Sequence, residues 1–244
     1  MFNGYKKIKK PAISVFFPCY NDEGSIGKLI DDASEVLKRI ASDWEIIVVD
    51  YGSFDYSRKV LKEKSKYNPK LKLVFHKTNQ GYGGALRSGF RNATKELVFY
   101  TDGDGQYDVR EIEKLLPKMT EDVDVVQGYK LKRHDPLYRL IVGTAYHHFS
   151  RLVFNVNVKD IDCDFRLIRK KALDKITLTF NSGVLPVELV KKLQHKRFKF
   201  YEIGVSHYPR LYGQSQFFSF RRISKTLVEQ IKLWWKLMIL KKYD

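Results

Sequence analysis

Cysteine is scarce in this sequence. The 244 residues include only Cys19 and Cys163, which is too few for the disulfide framework of a small secreted domain. We therefore expect reduced thiols and a location inside the cell.

Long apolar segments are also missing. No run reaches the roughly 18–20 uncharged apolar residues that a membrane-spanning helix needs. The lysine-rich first ten residues lack the apolar core of a signal peptide. The sequence has no internal repeat and no Walker motif, and the glycines at 81–84 do not have the spacing of the dinucleotide-binding fingerprint. We expect a protein without a transmembrane helix.

Acidic residues are outnumbered by basic ones. The 45 lysines and arginines against 28 acidic residues leave a net charge of +17, which favours an anionic partner such as nucleic acid, a membrane surface or a phosphorylated substrate. A lysine-rich proteome would produce the same excess without such a partner. Because no nucleic-acid-recognition motif appears, we expect no nucleic-acid partner, and a basic nucleic-acid-binding module is the weakest of the functions considered.

Apolar runs alternate with helical segments along the first half of the chain. Strands are predicted at 12–17 (ended by Pro18), 44–50, 71–75, from 97 onward and at 123–127. The alternation predicts an α/β fold with a mostly parallel sheet that is covered on both faces. Farther along, helices are predicted over about 134–158, over 181–194 and near the end of the chain, with a late strand at 198–203.

Two carboxylates follow the fourth predicted strand. Asp102 and Asp104 are separated by Gly103, and Gln106 comes two residues later. If the chain stays extended there, the three side chains point to one side, and their oxygens suit Mg²⁺ or Mn²⁺. The alternative is a solvated Gly-Asp turn. The position favours a metal site, because open α/β sheets bind ligands at the carboxyl ends of their strands.

Five short motifs occur in a fixed order along the chain. They are Pro18-Cys19-Tyr20-Asn21-Asp22, Val48-Val49-Asp50-Tyr51-Gly52-Ser53, Asn79-x-Gly81-x-Gly83-Gly84-Ala85, Asp102-x-Asp104-x-Gln106 and Arg210-x-x-Gly213-x-Ser215. The set resembles family 2 inverting glycosyltransferases of the GT-A fold, and most closely the dolichyl- or polyprenyl-phosphate mannose and glucose synthases. The resemblance covers about residues 12–216, taken as one catalytic domain between a basic tail at 1–11 and a basic amphipathic helix at 217–244.

The resemblance implies a Rossmann-like sheet and metal-dependent transfer of a hexose from a GDP- or UDP-sugar to a polyprenyl phosphate. The metal ligands it implies are Asp102, Asp104 and Gln106. The catalytic residues would be Asp102, Asp104, Arg139 and Arg210, with both arginines near the donor and acceptor phosphates. The residues it assigns to nucleotide-sugar binding are Pro18, Tyr20, Asp22, Asp50, Gly81, Asp102, Gly103, Asp104, Lys130 and Ser215.

Several positions depart from the family's pattern. The residues that stand where the family usually has another are Asp22 for Glu, Tyr51 for Asp, Tyr82 for Lys, Cys163-Asp164 for Ser-Gly and Gln216 for Lys. The Tyr51 substitution leaves the identity of the nucleotide open. The Gln-x-x-Arg-Trp motif of processive synthases is absent, which argues against polymerisation.

Two acceptors remain open. A lipid phosphate is already anionic near neutral pH and needs cations to position it, a role that suits Arg139 and Arg210. A saccharide hydroxyl would instead need a carboxylate base, which Asp160, Asp162 or Asp164 could supply. The second acceptor would make the protein a builder of surface glycans. The sugar itself is also open.

The last helix is predicted to lie on a membrane. Trp234-Trp235 and a basic face fit a helix in the headgroup region, and the alternative is a helix that packs on the core. We expect peripheral attachment on the cytoplasmic face, and a homo-oligomer is compatible with the sequence. His147 and His148 are interpreted as packing or interface residues and not as a metal pair.

Overall fold

A seven-stranded sheet forms the centre of the protein. The computed structural model describes residues 10–132, 137–213 and 220–243, apart from the side chains of 137–142, 145, 146, 220–223 and 225. The strands are β1 (Ala12–Cys19), β2 (Asp43–Asp50), β3 (Leu71–Phe75), β4 (Leu97–Thr101), β5 (Val125–Lys130), β6 (Phe165–Arg169) and β7 (Phe200–Val205). They lie in the order β3-β2-β1-β4-β6-β5-β7.

Helices connect the strands and cover the sheet. They are α1 (Ile26–Ile40), α2 (Ser57–Tyr67), α3 (Gly81–Asn92), α4 (Ile112–Leu115), α5 (Leu137–Phe154), α6 (Lys170–Leu173), α7 (Leu185–His195) and α8 (Phe220–Trp234). Short 3₁₀ turns at Val109–Glu111 and Leu116–Lys118 flank α4, and α8 continues as a π-helical segment over Trp235–Ile239.

All strands except β6 point the same way. β1 pairs in parallel with β2 and β4, β2 pairs in parallel with β3, and β5 pairs in parallel with β7. β6 is antiparallel to both β4 and β5. The prediction of a mostly parallel sheet is confirmed, while the reversed strand was not anticipated from the sequence.

The strand directions bring distant loops to one edge. The carboxyl ends of the parallel strands lie at this edge, so the residues after Cys19, Asp50, Thr101, Lys130 and Val205 all emerge there. Because β6 runs the opposite way, its amino end and the preceding loop at 160–164 reach the same edge. Ligands of open α/β sheets bind at such an edge.

Apolar side chains fill both faces of the sheet. One cluster packs α1 and the segment around Ile112 against β1, β2 and β4, and a second packs α3 and α7 on the opposite face. A third cluster joins Phe154 of α5, Val187 of α7 and Leu233 of α8. The burial of both faces explains why the central strands read as continuous apolar runs.

Pro18 does not end β1 as predicted, since the strand continues to Cys19. Pairing with β4 is recorded only from Ile13 to Phe16. Pro18 therefore lies beyond the last pair on that side, where its missing N–H removes no bond from the β1–β4 ladder. Other predicted elements differ at their ends: β5 extends to Lys130, α5 ends at Phe154, and α7 begins at Leu185.

The closing helix packs on α5. Gln230 Nε2 of α8 donates to Ser150 Oγ at 2.7 Å, and Leu233 and Leu237 are buried. Within residues 10–132, 137–213 and 220–243, no helix has both the length and the apolar character needed to cross a bilayer.

Candidate active site

The loop after β4 carries the two acids of the predicted metal site. The strand ends at Thr101, and the chain then turns. Asp104 Oδ1 accepts a hydrogen bond from the Gln106 backbone N–H at 3.0 Å, and Gly105 has a positive φ of 75°. The chain therefore does not stay extended from Asp102 to Gln106, because the aspartate side chain stabilises a turn at this point.

Gln106 faces the loop that follows β7. Its side-chain Nε2 donates to the Tyr208 carbonyl at 3.0 Å, and the Tyr208 backbone N–H donates to the Gln106 carbonyl at 2.8 Å. These bonds hold the two loops together at the edge of the sheet. The role of Gln106 as a metal ligand stays a prediction.

Gly103 lets the acid loop lie directly on the end of β1. A Cβ at this position would be 2.6 Å from the Pro18 carbonyl oxygen and 3.3 Å from Asp22 Oδ2. The Ser25 hydroxyl also donates to the Gly103 carbonyl at 2.8 Å. A larger residue at 103 would push the acids away from the β1 loop, so the glycine is required for this close approach.

Gly81 allows a second close approach at the start of α3. Its φ is 79°, and a Cβ there would lie 2.4 Å from the Asn181 carbonyl oxygen. The position therefore favours glycine on conformational and on steric grounds. Its assignment to the nucleotide pocket stays a prediction.

Arg210 joins the β7 loop to two carboxylates. Its Nη2 lies 2.8 Å from Asp22 Oδ1, its Nη1 lies 3.5 Å from Asp104 Oδ2, and its Nε donates to the Tyr212 carbonyl at 2.8 Å. The Arg210 side chain is 19% exposed. A partly buried guanidinium beside the acid loop is suited to bind phosphate oxygens.

Asp50 lies buried at the end of β2. Its carboxylate accepts from the backbone N–H groups of Gly52 and Ser53 at 3.3 Å and from Arg58 Nε at 2.7 Å. The aspartate thus shapes the turn after β2, and both of its oxygens take part. Its assignment to base or ribose recognition stays a prediction.

An aromatic group stands beside this turn. The rings of Tyr20 and Tyr51 stack with centroids 5.0 Å apart, and Phe54 packs edge-on against Tyr20 at 6.0 Å. Phe54 is 80% exposed. Tyr51, which stands where the family has an acid, is therefore part of the wall around the predicted nucleotide pocket.

A buried hydrogen-bond network extends from Asp102 toward β6. The Tyr82 hydroxyl lies 2.6 Å from Asp102 Oδ1 and 2.8 Å from Asp164 Oδ2. Asp164 Oδ1 accepts from the Tyr100 hydroxyl at 3.1 Å and from Arg166 Nη1 at 2.7 Å. Arg166 Nη1 also contacts the Tyr100 hydroxyl. The network links α3, β4 and β6 at the site.

The same network continues into the loop at 160–164. Arg166 is 1% exposed, and it donates from Nη2 to the Ile161 carbonyl at 2.6 Å and from Nε to Gln127 Oε1 at 3.0 Å. Lys130 Nζ donates to the Asp162 carbonyl at 2.8 Å and lies 3.7 Å from Asp160 Oδ2. Two cations thus hold this loop against the sheet.

Burial changes the ionisation of the acids. Burial raises the pKa of Asp102 well above its ordinary value, and the nearby carboxylates of Asp164 and Asp104 raise it further. Burial also raises the pKa of Asp104, against the opposing effect of Arg210. The pKa of Asp22 is raised to about 7, again chiefly by burial. A divalent cation would stabilise the ionised form of such crowded carboxylates, so this donor set fits Mg²⁺ or Mn²⁺.

A second group of ligand-type side chains lies nearby. Ligand atoms of His147, Asp160 and Asp162 lie within 4.8 Å of one another. The ammonium group of Lys130, close to Asp160, already supplies positive charge there. His147 Nδ1 accepts from the Ile161 N–H at 3.4 Å, and the interpretation of this histidine as a packing or interface residue stays a prediction. The Asp102–Asp104 loop is the better candidate for a cation.

Two predicted site residues are not described at the level of side chains. Arg139 belongs to α5, but its side chain lies outside the described residues, as does the whole of Ser215.

Sequence reasoning also missed several contacts. Tyr82 was noted only as a departure from the family, and neither Arg166 nor Arg58 was singled out. An arginine inside an otherwise apolar segment, as in Phe165-Arg166-Leu167-Ile168, is the signal that could have identified Arg166.

Comparison with protein families and relatives agrees with this geometry. Residues 14–177 match the model of glycosyl transferase family 2. The undecaprenyl-phosphate 4-deoxy-4-formamido-L-arabinose transferase of Pectobacterium atrosepticum is 28% identical over 207 residues, which are 84% of this chain and 62% of the relative. The dolichyl-phosphate beta-glucosyltransferase of Saccharomyces cerevisiae is 29% identical over 230 residues, covering 84% of this chain and 69% of the relative. The chain thus spans about three fifths of the length of the first relative.

Solved structures share the fold. Glucosyl-3-phosphoglycerate synthase from Mycobacterium tuberculosis, crystallised with Mn²⁺, UDP and phosphoglyceric acid, superposes with a TM-score of 0.67 at 16% identity. The match covers 93% of this chain and 78% of the synthase. The likeness confirms the predicted GT-A fold, and the match over residues 14–177 confirms the resemblance read from the motifs. The chain belongs to glycosyl transferase family 2.

Proposed function

We propose that this chain transfers a hexose, with inversion, from a nucleoside-diphosphate sugar to a polyprenyl phosphate at a membrane surface. One observation carries the proposal. Arg210, partly buried, faces the carboxylates of Asp22 and Asp104 at the carboxyl edge of the sheet. Asp104, which could hold a cation, thus lies beside Arg210, which could bind phosphate. A diphosphate donor requires both kinds of group.

The donor is proposed to bind across the ends of β1, β2 and β4. Asp102 and Asp104, with Gln106, would hold Mg²⁺ or Mn²⁺, which when bound neutralises charge on the leaving diphosphate. Pro18, Tyr20, Asp22 and Asp50 would line the nucleotide pocket, with Gly81, Gly103, Lys130 and Ser215 around the donor. The Mycobacterium synthase, which shares this fold, was crystallised with UDP and Mn²⁺ or Mg²⁺.

The contacts of the acidic loop support a phosphate acceptor. Asp164 is paired with Arg166 at 2.7 Å, and Asp160 lies beside Lys130. Both oxygens of Asp164 are already engaged by Arg166, Tyr100 and Tyr82, so this carboxylate is poorly placed to accept a proton from an acceptor hydroxyl. A lipid phosphate needs no general base, since it is already anionic. The names of the two relatives, which specify undecaprenyl and dolichyl phosphate, point the same way.

A membrane surface is proposed to meet α5 and α8. Both helices carry exposed apolar side chains, among them Leu152 (83% exposed) and Ile231 (66% exposed), and Trp235 is 54% exposed. The exposed Lys232 lies next to Ile231. Apolar residues interleaved with lysines suit the boundary between acyl chains and anionic headgroups. We propose peripheral attachment, on the cytoplasmic face.

Radiolabelled sugar transfer tests the proposed reaction. Purified protein is incubated with UDP- or GDP-hexoses, Mn²⁺ and undecaprenyl or dolichyl phosphate in detergent, with and without EDTA. We expect an organic-extractable product that EDTA abolishes and that contains one sugar per lipid. Transfer to a soluble saccharide but not to either lipid would refute the acceptor and favour a surface-glycan transferase. An absence of binding to every nucleotide sugar would refute the enzyme assignment altogether.

A further inference from the structure

Tyr82 occupies an unusual position between two carboxylates. Its hydroxyl is 2.6 Å from Asp102 Oδ1 and 2.8 Å from Asp164 Oδ2. Asp102 belongs to the candidate metal site, and Asp164 belongs to the loop before β6. Nothing in the sequence places these two acids together, since they are 62 positions apart and only the reversed direction of β6 brings Asp164 to this edge.

We propose that Tyr82 is a positioning residue that orients Asp102 for the cation and couples it to the loop at 160–164. The proposal rests on the proposed function, because it takes Asp102 to be a metal ligand. Carboxylate ligands of metals are held in orientation by hydrogen bonds from neighbouring groups, and losing such a bond lowers metal affinity.

The surroundings of Tyr82 fix its hydroxyl in place. Its ring packs against the apolar cluster beneath α3, and α3 itself is held close to the segment at 180–182, where a Cβ on Gly83 would be 2.7 Å from the Asn181 carbonyl carbon. The backbone near Tyr82 therefore has little freedom to shift. A rigid ring with a single polar atom suits the orientation of a carboxylate.

Asp164 is held equally firmly from its other side. Its Oδ1 accepts from Arg166 and from Tyr100, and Arg166 in turn donates to the Ile161 carbonyl. A shift of the 160–164 loop would thus move Asp164 and, through Tyr82, Asp102. The lysine that is usual at position 82 in the family would place a positive charge between the acids. Tyrosine contacts both acids without adding charge, and its single hydroxyl proton can be donated to either of them.

The test compares two hydroxyl deletions. Y82F removes the hydroxyl that touches Asp102 and Asp164, and Y100F removes a buried hydroxyl that touches Asp164 but has no recorded bond to Asp102. Mn²⁺ affinity is measured in the presence of UDP and of GDP by electron paramagnetic resonance, and folding is followed by thermal melting without metal. We expect Y82F to weaken Mn²⁺ binding about 10-fold or more. Y100F should change it less than about 2-fold, because Arg166 still holds Asp164 Oδ1 when the Tyr100 hydroxyl is removed.

A double-mutant cycle tests the coupling. D164N is expected to weaken Mn²⁺ binding about 3-fold in the wild-type background and clearly less in the Y82F background, where only the direct effect of the lost charge remains. Kinetics provide a further reading: Y82F should raise the metal concentration needed for half-maximal rate more than it raises the KM for the nucleotide sugar.

The outcomes separate this proposal from the proposed function. If the wild-type protein binds Mn²⁺ with a nucleotide and transfers sugar, but Y82F has wild-type metal affinity, the positioning role is refuted while the function stands. An identical effect of D164N in both backgrounds would refute the coupling. If Y82F melts too low to assay, the Mn²⁺ affinities of D164N and Y100F are compared instead. Weaker Mn²⁺ binding by D164N but not by Y100F supports the role of Tyr82. Equal Mn²⁺ affinities of the two variants refute it. A wild-type protein that binds no metal with any nucleotide would refute the function itself.

Discussion

Arg210 Nη2 lies 2.8 Å from Asp22 Oδ1, although the two residues are 188 positions apart in the chain. The contact joins the loop after the last strand to the loop after the first. Asp22 is 7% exposed, so the guanidinium meets a carboxylate with little access to water. This pairing closes one side of the candidate site, and it places the Arg210 guanidinium beside Asp104 of the acid loop.

Replacing Arg210 should lower the rate of sugar transfer more than it lowers the stability of the fold. Loss of a charge-assisted bond to a phosphate is worth about 1.5–3 kcal/mol, so R210Q should lower kcat/KM for sugar transfer by about 10- to 100-fold. R210K should recover only part of the rate, since lysine keeps the charge but not the planar fork. Steady-state kinetics with lipid phosphate measure both. R110Q, which removes an exposed arginine paired with Asp108, is the control and should retain activity. Equal rates in R210Q and R110Q would contradict the role of Arg210.

The two acids of the β4 loop should be essential for cation-dependent binding. D102N and D104N should each abolish the rise in melting temperature that a nucleoside diphosphate with Mn²⁺ produces, because a ligand that binds only the native state must stabilise it. Transfer activity should fall by more than about 10³-fold, as expected when a charge-stabilising group is lost. D122N, at a side chain that is 68% exposed, is the matched control. A full thermal shift in D102N would place the metal elsewhere.

The pKa of Asp22 makes stability depend on pH. The pKa is raised to about 7 from an ordinary value of 3.8, so the native state binds the proton more tightly than the unfolded chain. Its contribution to stability is complete below the ordinary value and is lost as pH rises toward and through 7. D22N has no such dependence. Relative to wild type, its melting temperature should therefore rise by about a few degrees between pH 5 and pH 8.5.

Thermal melts of both proteins across this range, without metal or nucleotide, measure the difference. The ionic strength is kept constant so that other charges contribute alike to the two proteins. A constant difference between D22N and wild type would show that Asp22 has the same affinity for its proton in the folded and unfolded states.

Membrane attachment should depend on the exposed apolar residues of the last helix. I231E and W235E should each lower binding to vesicles of phosphatidylglycerol and phosphatidylcholine by about 10-fold, the effect of withdrawing one large apolar side chain from the interface. Vesicle co-sedimentation measures the binding. Y67E changes a residue that is 85% exposed on α2 and should bind as wild type does. Uniform binding by all three variants would show that α8 does not meet the lipid.

Much of the fold could be predicted because the local pattern of apolar and turn residues indicates where the strands lie. Apolar runs bounded by turn residues located β1, β2, β3 and β4 to within about two residues. β1, β2 and β4 are largely buried, whereas β3 is a short strand at the edge of the sheet. The acids after β4 and the turn after β2 follow directly from those strands. Local pattern failed where a side chain competes with the backbone, as Asp104 does when it bonds to the Gln106 N–H and turns the chain.

The sequence by itself determined the α/β alternation, the family and the identity of the acids at the edge of the sheet. Only the tertiary structure decided which distant residues meet there. The reversal of β6 delivers Asp164 and the buried Arg166 to Tyr82 and Asp102, and the parallel pairing of β7 delivers Arg210 to Asp22. These contacts depend on the order and direction of the strands. That order is set by the burial of the sheet as a whole, so it leaves no periodic pattern in the sequence of any single segment.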